Sequence, residues 1–263
     1  MTTRRTILFN GLALGSSAIL GARLSAADLA RAAGETPLTI AVLGATGRTG
    51  KFVVEDLLAR GHAVRGISRS AGAQPPQYGV TWISADVRRP DSIRPALEGS
   101  DALVYAVGVT FSEVEVSDLY DVYQTGVADT AEVAKQTGVK RFVLLSSAGR
   151  SPASQMPEEL APSMDAKAKG EAALRASGIH YTISRTPGLW NRPGGEYGIM
   201  LLQTEPVPPG GPFMICREDS ASVLVECAVS EKAINKTFTV LNAITPEVGA
   251  WRDALVHLQK DPA

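Results

Sequence analysis

The run Gly44-Ala45-Thr46-Gly47-Arg48-Thr49-Gly50 carries the strongest chemical signal in this sequence. It directly follows Leu38–Leu43, a Leu-Thr-Ile-Ala-Val-Leu stretch that reads as a buried strand. Phe52, Val53, Leu57 and Leu58 then recur at helical spacing until Gly61. Strand, glycine turn and helix in that order bring unpaired amides at a helix start onto negative oxygens. Gly44 permits the tight turn, Gly47 leaves room for a pyrophosphate, and Gly50 lets the helix pack near the strand. Thr46, Arg48 and Thr49 complete the loop. The chemistry implied is the binding of a dinucleotide.

Ser68 and Arg69 end the next strand-like segment. An acidic residue at that point would accept hydrogen bonds from an adenosine ribose, as NAD sites do. A guanidinium beside a hydroxyl instead suits the 2′-phosphate of NADP. NADP is therefore favoured over NAD, although Arg69 could also be a solvated surface charge. Arg48 could stack over adenine or assist the same phosphate. Asp86 and Val87 follow a third strand and could border the adenine, while Asp86 could equally cap a turn. Val107 and Gly108 stand at the same edge after a fourth strand, where a glycine lets the nicotinamide side approach the backbone.

The elements that position these residues alternate. Strands are expected at Leu38–Leu43, Ala63–Ser68, Val80–Ser84, Ala102–Val107, Phe142–Leu145, Tyr181–Ser184 and Thr237–Leu241. Helices are expected after the glycine loop and at Ser92–Leu97, Leu119–Thr137, Asp165–Ala176, Ala221–Val229 and Val248–Leu258. Gly126 inside a helix costs up to about 1 kcal/mol against Ala, which suggests close packing on the sheet there. The pattern predicts an α/β fold: a Rossmann-like doubly wound parallel sheet with helices on both faces. Between Thr186 and Gly211, Pro187, Pro193, Pro206, Pro208 and Pro209 make regular structure unexpected. Residues 186–215 could form a small segment covering a bound substrate, or a plain solvent loop.

Composition bounds the rest. The chain has 263 residues, with 44% hydrophobic and 20% charged residues and a formal net charge of -1. That fits one soluble domain over 36–263 and supplies no basic field to attract nucleic acid. The three histidines, His62, His180 and His257, lack metal-ligand spacing, and no metal site is expected. Cys216 and Cys227 exclude a disulfide-rich scaffold and could pair only if folding brings them together. At the start, Arg4 and Arg5 precede the mildly apolar stretch Ile7–Ala22 and then Ala30-Arg31-Ala32. Residues 1–32 have the layout of an export leader, and the paired arginines resemble a twin-arginine signal. An uncleaved amphipathic helix or anchor is the alternative. The leader reading makes the twin-arginine export machinery a partner and the mature protein a periplasmic or otherwise exported one. Such export carries folded proteins, so a pre-loaded cofactor is expected.

The glycine loop, Ser68-Arg69, Ser146-Ser147-Ala148 and Lys167-x-x-x-Glu171 together resemble the atypical short-chain dehydrogenase/reductase superfamily. The likeness is nearest to its NmrA-like and biliverdin-reductase-B-like, or flavin-reductase-like, NAD(P)-binding members. It spans roughly Leu38–Leu258 and includes Gly138–Val143, Thr182–Gly188 and a late helix start at Arg217–Ala221. The resemblance implies that Ser146 or Ser147 takes the serine position of the family's Ser-Tyr-Lys set. It implies that Lys167 takes the lysine position, touching the cofactor, with Pro187 and Gly188 among the cofactor-binding residues. The tyrosine would stand four residues before the lysine, where this chain has Ser163. A serine hydroxyl has no comparable acidity, so standard alcohol–ketone chemistry is not expected.

Three function classes follow from the resemblance. One is a reductase that transfers hydride from NADPH to a small, aromatic or quinone-like compound, with Lys167, Ser146 and Tyr123 as the candidate catalytic residues. A second is a dinucleotide-binding sensor or partner-binding module without turnover. A third, an isomerase using bound cofactor transiently, would itself need a proton donor. Tyr105 reads as core. Tyr123 could reach the pocket or pack on the sheet, and Trp190, Asn191, Tyr197 and Met200 could line an aromatic pocket. Either a monomer or a homodimer is compatible with the sequence.

Overall fold

The last four residues of β1 (Thr39–Leu43) are all buried. That is the burial expected of a central strand covered by helices on both faces. The computed structural model describes residues 36–109, 115–148, 158–203, 214–243 and 250–262. The proposed leader at 1–32, Pro206, Pro208 and Pro209, and Val248 lie outside the described residues.

After the glycine turn comes α1 (Gly50–Ala59), which buries Val53, Val54 and Leu57. Then follow β2 (Ala63–Ser68), β3 (Val80–Ser84), α2 (Pro90–Leu97) and β4 (Ala102–Tyr105). The helix α2 begins at Pro90, two residues before the expected Ser92, because proline suits a first helical turn. The helix expected over Leu119–Thr137 is a rod in three parts. These are α3 (Val116–Tyr120), a wide π turn (Asp121–Thr125) and α4 (Gly126–Gln136). Tyr105 Oη donates to the Val122 carbonyl at 2.7 Å and so satisfies a backbone acceptor inside the widened turn. A Cβ on Gly126 would sit 2.9 Å from that same Tyr105 hydroxyl. The expected close packing at Gly126 is thus present.

The chain continues through β5 (Arg141–Ser147), α5 (Ala161–Ala176), β6 (His180–Thr186), β7 (Leu189–Trp190), β8 (Gly198–Leu202) and β9 (Ile215–Cys216). It ends with α6 (Arg217–Val229), β10 (Lys236–Ala243) and α7 (Trp251–His257). The main sheet has eight strands in the order β3-β2-β1-β4-β5-β6-β10-β8, and β7 pairs with β9 in a small parallel sheet. Helices on both faces make this a Rossmann-like α/β fold.

Two expectations need correction. The sheet is not wholly parallel, since β8 runs antiparallel to β10, with Leu201 opposite Val240. The proline- and glycine-rich span after Thr186 also holds regular structure, in β7 and β8. Long-range pairing supplies backbone partners that local propensity does not foresee. Cys216 and Cys227 are both free and buried, so the pairing left open by the sequence does not form.

Alternation along the strands divides the core. Ala41, Leu43, Tyr105, Phe142 and Ile183 face one helical layer with Val127 and Leu174. Ile40, Val42, Val104, Val143, Phe238 and Val240 face the other with Val53, Leu57 and Leu224. β1 pairs with β2 on one side and β4 on the other. Connections from β1 and β4 therefore diverge and open a crevice at the carboxyl ends of the strands, where such sheets hold ligands.

Candidate cofactor crevice and active site

Gly44 has φ +81°, and a Cβ there would lie 2.6 Å from the Ala106 carbonyl oxygen. The turn thus requires glycine both for its backbone angle and for its approach to the end of β4. A Cβ on Gly50 would collide with the Gly44 carbonyl oxygen, and one on Gly47 would stand 3.0 Å from it. Gly47 itself donates to Gly44 O at 2.8 Å, closing the loop. The amides of Arg48 and Thr49, ahead of the first helical turn, have no acceptor among the described residues. Orphaned donors beside a glycine cradle fit the pyrophosphate of a dinucleotide.

The cradle opens on a crevice of about 730 Å³ lined by Gly44, Thr46, Gly47, Ser68, Arg69, Asp86, Val87, Val107 and Gly108 among others. That volume falls in the range of roughly 300–1,000 Å³ typical of small-ligand sites. Three hydroxyls gather at its end beside β2. Thr46 Oγ1 and Ser70 Oγ are 3.2 Å apart, and Ser68 Oγ and Ser70 Oγ 3.5 Å. Arg69 is exposed beside them. Asp86 is clasped by Arg88, with Nη2 at 2.7 Å from Oδ2 and Nε at 3.1 Å from Oδ1. The Arg88 hydrogen bonds hold the Asp86 carboxyl below its ordinary range, with a further contribution from Arg69. Arg88 also reaches Asp118 at 3.3 Å. Neither Arg88 nor Asp118 was singled out from the sequence. Only the fold brings the end of β3 and the start of α3 together.

Arg48 needs correction. It does not share the Arg69 crevice and lines a separate one with Lys51, Asn191, Arg192 and Arg217 on the other side of the loop. Thr49 is buried at the start of α1 and Gly50 inside it.

At the carboxyl end of β5 the two serines part company. Ser146 Oγ donates to Glu171 Oε1 at 2.7 Å and is buried. Lys167 Nζ donates to Ser147 Oγ at 2.6 Å. The Lys167 ammonium also lies 4.7 Å from the Tyr123 ring centroid, within cation–π reach. Burial pushes the Lys167 pKa down to about 8, against an opposing pull from the Glu171 charge. Tyr123 Oη accepts from the Val109 amide at 3.1 Å, next to Gly108. Burial raises the Tyr123 pKa, and the Val109 bond opposes that shift. The hydroxyl is thus a weaker acid than an ordinary phenol.

Glu171 is engaged elsewhere than on Lys167. Its carboxylate accepts from Arg185 Nη2 at 2.6 Å and Arg175 Nη2 at 3.1 Å. This buried group is a pedestal under the site, joining α5 to β6, and Arg185 is the residue sequence reasoning missed here. Ser163, at the expected tyrosine position, is only 2% exposed. Pro187 and Gly188 follow β6 directly, and the Gly188 carbonyl accepts from Ile215 N at 2.9 Å, seeding the small sheet. His62 is buried, with Nδ1 accepting from the Leu38 amide at 3.2 Å. Among the described residues no helix is long and apolar enough to cross a membrane.

A family model described as NAD(P)H-binding matches residues 44–231. The chain belongs to this family, and with the fold above it is an atypical short-chain dehydrogenase/reductase of the NmrA-like kind. It is 28% identical to sanguinarine reductase of Eschscholzia californica, over 76% of this chain and 88% of that protein. Its fold is similar to that of the oxidoreductase YlbE from Lactococcus lactis, with TM-score 0.72 and 21% identity over 86% of this chain and all of that one. A short-chain dehydrogenase/reductase from Veillonella parvula, solved in complex with NADP, aligns with TM-score 0.62 and 18% identity over 79% of this chain and 96% of that one.

Proposed function

We propose that this chain is an NADPH-dependent reductase of a small aromatic or quinone-like compound. One observation carries the reading. A phosphate cradle with orphaned amides shares a sheet edge with a lysine whose pKa of about 8 suits proton transfer near neutral pH. Gly44, Thr46, Gly47 and the amides of Arg48 and Thr49 would hold the pyrophosphate. Arg69, with Ser68, Ser70 and Thr46, would hold a 2′-phosphate, and Asp86 offers little repulsion because Arg88 neutralises it. Val107, Gly108, Pro187 and Gly188 would border the nicotinamide. The bound cofactor supplies a hydride.

The chain's own residues do the rest. Lys167 keeps a proton at Nζ, oriented by Ser147, and gives it to the reduced product. Tyr123 covers the ammonium and keeps water from it. Ser146 acts at one remove, through Glu171, by fixing the end of β5 against α5. The segment 186–215 would cover the substrate. The name of the sanguinarine reductase relative supports an aromatic acceptor, and the NADP-bound neighbour supports the choice of cofactor.

The test is to follow the reduced-nicotinamide absorbance while offering quinones, flavins and aldehydes to protein loaded with NADPH. Oxidation with one class supports the reductase. Tight binding with no oxidation across the panel favours the second reading, a non-catalytic NADP-binding sensor, for which buried Ser163 in place of the tyrosine is the specific support. Residues 1–32 are proposed as a cleaved export leader. Amino-terminal sequencing of protein from the exported fraction tests that, and a start at Met1 would remove it.

A further inference from the structure

Arg217 opens α6, and its side chain is 8% exposed. Its Nη1 donates to the Leu189 carbonyl and to Asn191 Oδ1, both at 2.9 Å. Its Nε is buried and has no hydrogen-bond partner among the described residues. A guanidinium donor left unmatched in that way is costly unless something occupies it. The side chain lines the crevice of about 550 Å³ on the far side of the glycine loop. Arg48, Lys51 and Arg192 line it too, while Glu218 is the sole carboxylate among its lining residues. Glu218 is already engaged, accepting from the Gly194 amide at 2.6 Å. Arg192 stacks on the Trp190 ring at 4.7 Å and donates to Tyr197 Oη at 3.2 Å, so an aromatic wall flanks the cations.

We propose that this crevice is a subsite for an oxyanion group carried by the substrate, a carboxylate, sulfonate or phosphate on an aromatic body. Arg217 is its buried anchor and Arg192 its outer contact. Burial and the charge of Arg48 depress the Arg217 pKa. Both causes mean that an anion placed there would relieve the site. The crevice shares Thr46 and Gly47 with the cofactor crevice, so the bound anion would lie close to the cradle. The word substrate rests on the reductase reading above. The anion site itself does not, and the cofactor's own pyrophosphate is the competing source of the same chemistry.

The experiment titrates NADP⁺-loaded full-length protein with anthraquinone-2-sulfonate and with its neutral analogue 2-(hydroxymethyl)anthraquinone, by calorimetry. The proposal expects the sulfonate to bind at least about tenfold more tightly. In Arg192→Gln that preference should fall roughly fivefold, and in Arg217→Gln it should vanish. NADP⁺ affinity should stay within about twofold in both variants. If Arg217→Gln does not fold, Arg192→Gln still decides. Equal binding of the two probes overturns the proposal. So does a loss of NADP⁺ affinity in the variants with the probe preference intact, since the crevice would then serve the pyrophosphate. A protein that holds the sulfonate but never oxidises NADPH loses the reductase reading and keeps the anion site.

Discussion

Lys167 donates from α5 to the hydroxyl of Ser147 at the end of β5, at 2.6 Å. The bond aims an ammonium with a pKa of about 8 along the mouth of the sheet. The acid form prevails below that value and is lost as pH rises through it. The rate of NADPH oxidation should therefore be level near neutrality and fall above about pH 8. Lys167→Met should lower kcat by about 10²-fold or more and abolish that limb of the profile. Stability moves the other way. The unfolded chain keeps this proton up to about 10.4, so the group's contribution rises between its folded and unfolded values. Steady-state rates and urea melts across pH read the two effects separately.

Arg69 is exposed beside three hydroxyls, and the one carboxylate its charge acts on, Asp86, is already clasped by Arg88. Arg69→Asp should weaken NADPH binding by about tenfold or more and improve NADH binding, because the new carboxylate repels a 2′-phosphate and accepts from a ribose. Fluorescence titration with both nucleotides checks it. An unchanged ratio would move the phosphate subsite elsewhere.

A Cβ on Gly170 would collide with the Tyr123 carbonyl oxygen. Gly170→Ala should push α5 away from the π turn and cost about 1–3 kcal/mol. Because α5 also carries Lys167, activity should drop by more than the stability loss explains. Circular-dichroism melts and kcat measured well below the melting point separate the two.

Cys216 and Cys227 are buried free thiols, and burial raises both pKa values. A thiol reagent should find neither in the native protein and both after denaturation in urea. Rapid native labelling would mean that β9 and α6 open.

Much of the candidate crevice beside the glycine loop was legible because steric facts leave traces as residue identity. Gly44 and Gly50 each stand against a backbone oxygen, so the glycine spacing reported the contact itself. The strands of the central sheet were legible from their continuous apolar runs. What stayed hidden depends on the third dimension. Ser146 and Ser147 are neighbours in the chain, and only packing against α5 decides which meets Glu171 and which meets Lys167. Arg48 sits in the expected loop on the unexpected side of it. β8 was masked by the glycine and proline around it, since its partner β10 lies about forty residues on and pairing, not propensity, holds it.

The wide turn at Asp121–Thr125 also governs the angular phase of the rod that contains it. A regular α-helix advances about 100° per residue. Removing one residue there would restore even winding and swing Val116–Tyr120 by roughly that angle relative to Gly126–Gln136. Ala131 and Ala134 would keep their seats in the core, while Asp118 would rotate away from Arg88. A change of pitch in mid-helix thus lets one rigid piece serve as both keel and crevice wall, each turned to its own compass bearing.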